Sequence, residues 1–199
     1  MIKNIIFDLG KVLIDYDFDI FFQKIGNKPN TRTLDEANKE ILLFEAGKID
    51  KYTFFEHLKK IYDFNIPFEQ FKSLWCNVFW EIPQMTKLSA ELKQKGYNLF
   101  LLSNTDELHF PYIKEKFPAV NIFDNGLMLS YQLGYTKPEK EIYEKALSIY
   151  NLNPNETVFI DDREENILAA NNFGLKGIVH KDYKETYKKL EKIINLEDK

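Results

Sequence analysis

Short, nearly continuous hydrophobic runs indicate four buried strands along this chain. They are rich in branched and aromatic residues and lie at 3–8, 97–103, 157–162 and 176–180. Strands without polar alternation are typical of a parallel sheet that is covered on both faces. Stretches with helical spacing of apolar residues follow at 84–96, 138–150 and 163–174. This alternation predicts an α/β fold with a doubly wound parallel sheet and right-handed crossovers.

The segment 16–83 departs from this alternation. It holds ten of the 17 phenylalanines and both tryptophans. Its apolar residues follow helical spacing, with no clear strand, over 33–48, 51–62 and 66–80. We therefore expect a helical subdomain, residues 16–83, inserted into an α/β core formed by 1–15 and 84–199. The charged tail, 181–199, has the pattern of an amphipathic helix.

Composition and charge narrow the class of protein. The chain is 44% hydrophobic with only 8 Gly and 7 Pro, as expected for a folded globular protein. The net charge is −4 and basic residues are spread along the chain, so we expect no nucleic-acid surface and no membrane-binding face. No apolar run approaches the roughly 18 residues that span a bilayer, and no signal peptide is evident. The sequence also indicates no obligate protein partner.

The cysteine and histidine content argues against disulfide, thiol and zinc chemistry. The single cysteine, Cys76, forms no intrachain disulfide, which fits a reducing, cytoplasmic location. It lies in the aromatic segment SLWCNVFW, where we expect a small buried apolar residue. The three histidines lack zinc-site spacing, and we expect His109 to pack locally on a helix face.

Polar residues mark the ends of the predicted strands and the start of one helix. They are Asp8, Ser103, Asn104, Lys137, Asp161 and Asp162. The carboxyl ends of parallel strands meet at one rim, so we expect these groups to converge. Three carboxylates repel one another, and an oxygen-bound Mg²⁺ would resolve that repulsion. A metal and a lysine would allow a carboxylate to attack phosphorus, which predicts an aspartyl-phosphate intermediate.

Four motifs in this order resemble those of the haloacid dehalogenase (HAD) superfamily. They are FDLGKVL with Asp8, LLSNT with Ser103, GYTKPEKEIY with Lys137, and FIDDREEN with Asp161 and Asp162. The insert lies where that family carries its helical type 1 cap. FDLGKVL, SNTDELH and the Asp pair further resemble bacterial sugar-phosphate phosphatases such as α-D-glucose-1-phosphate phosphatase. The resemblance implies a Rossmann-type core and a Mg²⁺-dependent phosphatase for a small phosphorylated metabolite.

The resemblance also implies roles in phosphate handling. Asp8 would be the nucleophile and a Mg²⁺ ligand. Ser103 and the backbone of Asn104 would hold phosphate oxygens, and Lys137 would bridge the phosphate and the nucleophile.

A second set of roles concerns the metal. The resemblance implies that Asp162 binds Mg²⁺ directly, that Asp161 does so directly or through water, and that the Gly10 carbonyl is a further ligand. Asn166, four residues after Asp162, would orient that carboxylate.

Gly10 is the departure from the family pattern. HAD phosphatases usually carry a second aspartate here, which protonates the leaving oxygen, and such acid–base catalysis contributes about 10²- to 10⁴-fold. The alternatives are a good leaving group such as an anomeric oxygen or an acyl phosphate, a donor from the insert such as Glu45 or His57, or residual activity. Asp15 and Asp17 follow the loop and fit surface or hinge acids better.

Two other functions are compatible with these motifs. In a 2-haloacid dehalogenase the same carboxylate attacks carbon, and such enzymes also lack the second aspartate. The Asp161–Asp162 pair argues against this reading, since halide displacement needs no divalent cation. A catalytically impaired protein that binds phosphorylated ligands is the third possibility, and it is disfavoured by the joint presence of Asp8, Ser103, Lys137 and Asp162.

Overall fold

A parallel five-stranded sheet forms the centre of the protein. The computed structural model describes residues 1–26, 29–123 and 126–194. The described strands of the protein are β1 (Asn4–Phe7), β2 (Ile14–Tyr16), β3 (Phe79–Glu81), β4 (Asn98–Ser103), β5 (Leu127–Leu129), β6 (Thr157–Asp161) and β7 (Lys176–Val179). The sheet order is β5-β4-β1-β6-β7 with every pairing parallel, so the predicted fold class is confirmed.

The sheet is covered on both faces, as its hydrophobic runs predict. Ile5 and Phe7 of β1 belong to one core cluster and Ile6 to another, because successive side chains of a strand point to opposite faces. All four predicted strands are present. The fifth, β5, escaped prediction because its three residues gain their backbone partners only from β4.

Ten α-helices lie within the described residues. Four lie in the insert: α1 (Asp19–Ile25), α2 (Thr31–Glu45), α3 (Lys51–Ile61) and α4 (Phe68–Cys76). The others are α5 (Pro83–Gln94), α6 (His109–Lys116), α7 (Ser130–Leu133), α8 (Lys140–Ile149), α9 (Glu164–Asn172) and α10 (Tyr183–Ile194). The last five residues of the predicted tail helix lie outside the described residues. None of the described helices is both long and apolar enough to cross a membrane.

The insert has a hydrophobic cluster of its own. Phe21, Phe54, Phe71 and Trp75 are buried there in edge-to-face and stacked contacts. Local signals position its helices: Asn30 forms a capping box with Thr33 at the start of α2, and Asp50 caps α3. These contacts explain why the aromatic residues concentrate in this segment.

The expectation of no strand in the insert is wrong. β3 lies within it and pairs antiparallel with β2, which joins Ile14 to Glu81 and Tyr16 to Phe79. Strands of three residues leave little pattern in a sequence, because each exists only through its partner. We propose that this two-stranded ribbon marks the boundary between the α/β core and the inserted cap.

Candidate active site

The predicted strand-end residues meet at one rim of the sheet. Asp8 follows β1, Ser103 ends β4 and Asp161 ends β6, and β1 lies between the other two strands. The carboxylate oxygens of Asp8, Asp161 and Asp162 come within 4.8 Å of one another. The convergence expected from the sequence is therefore present in the structure.

Lys137 is the buried cation of this cluster. Its ammonium lies 2.9 Å from Asp8 Oδ1 and 2.7 Å from Asp161 Oδ2, and it donates to the backbone oxygen of Leu102 at 3.0 Å. Burial lowers the pKa of Lys137, but the two carboxylates outweigh burial, so the pKa lies above its ordinary value. Lys137 therefore remains a fixed positive charge.

One ammonium does not balance three carboxylates. Burial, opposed by Lys137 and reinforced by Asp161, raises the pKa of Asp8 to about 7. Burial and Asp161 also raise the pKa of Asp162. A hard cation with oxygen ligands would relieve this repulsion, and the buried Asn166 Oδ1 has no hydrogen-bond partner among the described residues. The cluster of carboxylate oxygens therefore fits Mg²⁺. Of its three aspartates, Asp8 and Asp162 line the cavity.

Asp161 is held by its surroundings and is fully buried. Asn166 Nδ2 lies 2.9 and 3.0 Å from its two carboxylate oxygens, and the backbone N–H of Arg163 donates to it at 2.8 Å. The expectation that Asn166 orients Asp162 is wrong, because helix α9 directs its amide to Asp161. Asp161 thus aligns Lys137, whereas Asp162 remains open to a ligand.

Ser103 and Asn104 line the same cavity as Asp8. The Asn104 side chain accepts from the backbone N–H of Lys137 at 2.7 Å and donates to its carbonyl at 3.0 Å. This pair of hydrogen bonds fastens the end of β4 to the segment that carries Lys137, a role that the sequence did not suggest. Their part in holding phosphate stays a prediction.

Gly10 lies in the tight loop between β1 and β2, where the backbone N–H groups of Leu13 and Ile14 both donate to Leu9. A Cβ at position 10 would be only 3.2 Å from Cε1 of Tyr16. The Tyr16 ring thus lies against the position at which the usual second aspartate would begin. Coordination of a metal by the Gly10 carbonyl stays a prediction.

These residues form one end of a partly open cavity of about 160 Å³. Asp8, Ser103, Asn104, Lys137, Asp162 and Arg163 form the charged end. The remaining wall combines the ionisable residues Glu45, Asp106 and His109 with apolar residues, which include Ile14, Phe18, Ile41, Phe44, Phe54, Trp75, Phe79 and Ile113. The cavity can thus hold a charged group at the sheet rim and a less polar group beneath the insert.

The structure separates the candidate acids. Glu45, at the end of α2, lines the cavity. His57 instead contacts Glu40 at 2.5 Å outside it. Asp15 forms an ion pair with Lys11, and Asp17 accepts a backbone hydrogen bond at the start of α1. The reading of Asp15 and Asp17 as hinge acids therefore fits their contacts.

His109 is more than a locally packed residue. Its Nδ1 lies 2.8 Å from Asp106 Oδ2, and its Nε2 lies 3.2 Å from the backbone oxygen of Trp75 in the insert. Burial lowers the pKa of His109, but Asp106 outweighs burial and the pKa is raised. Sequence reasoning missed Asp106, although an acid just before a helix is a capping signal, and its carboxylate accepts from the backbone N–H groups of Leu108 and His109 at the start of α6.

Cys76 is buried, and its Sγ donates to the backbone oxygen of Leu108 at 3.5 Å. Burial, with Asp106 nearby, raises the pKa of the thiol to about 12. The expectation of a structural cysteine is therefore consistent with its surroundings.

Comparison with known proteins places this arrangement in a family. The family model for haloacid dehalogenase-like hydrolases matches residues 2–174. The chain belongs to this family. A D-ribitol-5-phosphate phosphatase from Bacteroides thetaiotaomicron is 32% identical and aligns over 88% of this chain and 90% of its own. A sesquiterpene phosphatase from Aspergillus oryzae is 27% identical, with 96% of each protein covered.

Solved structures of HAD proteins share the fold. A HAD family enzyme from B. thetaiotaomicron, in complex with magnesium and inorganic phosphate, superposes with a TM-score of 0.80 at 28% identity, covering 91% of this chain and 95% of that one. An L-2-haloacid dehalogenase from Xanthobacter autotrophicus reaches 0.64 at 16% identity, covering 89% and 76%, which indicates the fold alone. The HAD resemblance is confirmed, and the narrower likeness to glucose-1-phosphate phosphatases stays a prediction.

Proposed function

We propose that this HAD hydrolase is a Mg²⁺-dependent phosphatase that cleaves a small phosphorylated metabolite through an aspartyl-phosphate. The observation that carries the proposal is the contact of Lys137 with both Asp8 and Asp161 at the charged end of the cavity. The phosphatases among the relatives, and the magnesium and phosphate bound to a homologous enzyme, support it.

The proposed chemistry starts at Asp8. Its carboxylate attacks phosphorus, and the alcohol oxygen leaves with the electron pair of the broken P–O bond. Lys137 neutralises charge on the nucleophile and on the transferring phosphoryl group. Ser103 and the backbone of Asn104 hold phosphate oxygens. Mg²⁺, held by Asp8 and Asp162, would offset the charge of the phosphate and polarise it.

Preorganisation is the contribution of the surrounding residues. Asp161 is fixed by Asn166 and by the backbone of Arg163, and it positions the ammonium of Lys137. Asn104 holds the backbone of Lys137 from the other side. Charged groups that are already aligned in a buried site need little rearrangement when the reaction begins, which is a main source of catalytic rate.

We propose a sugar or polyol phosphate as the substrate, with glucose 1-phosphate and ribitol 5-phosphate as the first compounds to test. A cavity of about 160 Å³ suits a small molecule, and aromatic residues such as Phe18, Trp75 and Phe79 can cover the apolar face of a sugar. The ribitol-5-phosphate phosphatase is the relative that favours this class. A higher kcat/KM for a terpenyl phosphate would overturn this assignment.

The direct test is phosphate release with and without Mg²⁺ across sugar, polyol and acyl phosphates. We expect Mg²⁺-dependent turnover that Asp8→Asn abolishes. Asp15→Asn is the matched control, because Asp15 pairs with Lys11 outside the cavity. An active Asp8→Asn enzyme would sink the mechanism. Metal-independent chloride release from 2-chloropropionate would favour the dehalogenase instead.

A further inference from the structure

Glu45 is an ionisable side chain of the cavity that the mechanism above does not use. It is the last residue of α2 and is partly buried. Among the described residues its carboxyl group makes no side-chain hydrogen bond or ion pair. Keeping a carboxyl group ionised in such surroundings costs free energy. Burial, with Asp106 nearby, raises the pKa of Glu45 to about 7, so its protonated form is populated near neutral pH.

The reaction needs a proton at the leaving oxygen, and Glu45 lines the cavity in which that oxygen must lie. An alkoxide is a poor leaving group, and protonation of its oxygen lowers the barrier to P–O cleavage. Gly10 has no side chain to supply that proton. The leaving group must extend from the phosphate site near Asp8 toward the wall formed by the insert, and Glu45 belongs to that wall.

The other ionisable groups at the charged end are engaged elsewhere. Lys137 contacts two carboxylates and remains charged. Asp8 is the proposed nucleophile, and Asp162 belongs to the carboxylate cluster that fits a metal. Arg163 is paired with Glu165 and does not release a proton at neutral pH.

The ionisable groups nearer the insert are also poor donors. Asp106 is ion-paired with His109, whose two ring nitrogens both have partners. Burial, with Asp162 and Asp8 nearby, raises the pKa of the Tyr16 phenol to about 12, so it is a far weaker acid than Glu45. Elimination within the cavity thus leaves Glu45.

The turn after α2 fixes the position of Glu45 over the site. Gly47, two residues later, packs on α7 so closely that a Cβ would lie 2.2 Å from the backbone oxygen of Tyr131. Phe44, next to Glu45, stacks on Phe54 with ring centroids 4.3 Å apart. The backbone that carries Glu45 is therefore anchored on both the core and the insert.

We propose that Glu45 is the general acid and base of this enzyme, in place of the side chain that Gly10 lacks. The assignment rests on the proposed phosphatase function. As Asp8 forms its bond to phosphorus, the P–O bond to the alcohol breaks and the leaving oxygen takes the proton of Glu45. Water then attacks phosphorus, passes a proton to the Glu45 carboxylate, and the Asp8–phosphorus bond breaks.

The test compares first-turnover rates for two substrates that differ in their leaving group. Ribitol 5-phosphate releases an alcohol that needs a proton, whereas 4-nitrophenyl phosphate releases a stable phenolate. We expect Glu45→Gln to slow first-turnover alcohol release by about 10²- to 10⁴-fold and to leave the first burst of nitrophenolate nearly unchanged. Steady-state turnover should fall for both, because hydrolysis of the aspartyl-phosphate also uses Glu45.

Glu40→Gln on the same helix is the matched control, since Glu40 contacts His57 outside the cavity. It should keep both rates. The rate of alcohol release by the wild type should fall above pH about 7, whereas the rate of Glu45→Gln should not. The charged groups that act on Glu45 are those of Asp106, His109, Lys137 and Arg163. Should Glu45→Gln fold poorly, Glu45→Asp should retain the pH dependence at a reduced rate.

The outcomes separate the two proposals. Equal losses for both substrates in the first turnover, or no loss, in an active enzyme would overturn the role of Glu45 and leave the phosphatase function standing. A wild-type protein that releases no phosphate from any substrate with Mg²⁺ would overturn both.

Discussion

The ring of Tyr16 lies against Gly10, and a Cβ at position 10 would be 3.2 Å from its Cε1. Tyr16 is itself held by edge-to-face contacts with Phe18 and Phe79 and by the ammonium of Lys11, 4.5 Å from its ring centroid. A side chain at position 10 would therefore require the Tyr16 ring to shift by a few tenths of an ångström. It also places an aromatic ring, and not an acid, beside the proposed nucleophile.

Gly10→Ala should therefore destabilise the protein by about 1 to 3 kcal/mol, the usual cost of overpacking. Urea unfolding would measure it. If Tyr16 is the cause, the cost of Gly10→Ala should be smaller in a Tyr16→Ala background, as a double-mutant cycle would reveal. An equal cost in both backgrounds would contradict the steric explanation. For the same reason we expect Gly10→Asp to gain little activity unless the Tyr16 ring moves.

Lys137→Met should destabilise the fold by about 3 to 5 kcal/mol, because it leaves Asp8 and Asp161 buried without their cation. The same change should abolish phosphatase activity, since loss of the ammonium raises the pKa of Asp8 further. Lys3→Met, which removes an exposed pair with Glu156, is the control and should cost less than about 1 kcal/mol. Equal unfolding midpoints in urea for the two variants would contradict this.

Without metal, the free energy of unfolding should fall as pH rises from about 4 to 7. The pKa values of Asp8 and Glu45 are raised from 3.8 and 4.5 to about 7, so the folded chain binds more protons than the unfolded chain across this range. Unfolding in urea with EDTA, at pH 5 and pH 7, would measure the slope. The double variant Asp8→Asn/Glu45→Gln should reduce it, and an unchanged slope would argue against these two groups.

Mg²⁺ should stabilise the protein more at pH 7 than at pH 5, because ligand carboxylates must lose their protons to bind metal. The shift in the thermal midpoint on addition of Mg²⁺ would measure this. Asp162→Asn should remove most of the shift. An equal shift in that variant would indicate that Mg²⁺ acts elsewhere on the protein.

Gly47→Ala should lower the rate of alcohol release, because a Cβ would collide with the backbone oxygen of Tyr131 and displace the end of α2 that carries Glu45. Gly26→Ala is the matched control. Gly26 also has a positive φ, 72° against 63°, but its Cβ would meet nothing within 4 Å. Both variants should lose some stability through backbone strain. If Gly26→Ala reduced alcohol release equally, docking of α2 would not be the cause.

The central strands and their terminal residues were predictable from local pattern. A buried parallel strand is a continuous apolar run, and the polar residue after it must lie at the rim of the sheet. Asp8, Ser103 and Asp161 could be identified in this way. Lys137, before the helix that follows, was expected to join them, and its 2.7 and 2.9 Å contacts with Asp161 and Asp8 agree with that expectation.

Contacts between distant segments were beyond local pattern. The position of Asn166 in the sequence, four residues after Asp162, did not determine whether its amide would reach Asp161 or Asp162. Strands β2, β3 and β5 are three residues long and are defined by their partners. The choice between Glu45 and His57 depended on how α2 and α3 pack on the core, which brings one into the cavity and leaves the other outside.

The order of apolar runs along the chain was sufficient to predict the α/β fold, the aromatic segment 16–83 and the residues at the strand ends, because these depend on neighbours within a few positions. Three-dimensional packing was needed for the rest. It placed the Tyr16 ring beside Gly10, joined His109 to Trp75 of the insert, and brought Glu45 into the same cavity as Asp8. Burial and charge at long sequence separation set the pKa values of Asp8 and Glu45, and only the folded chain brings those groups together.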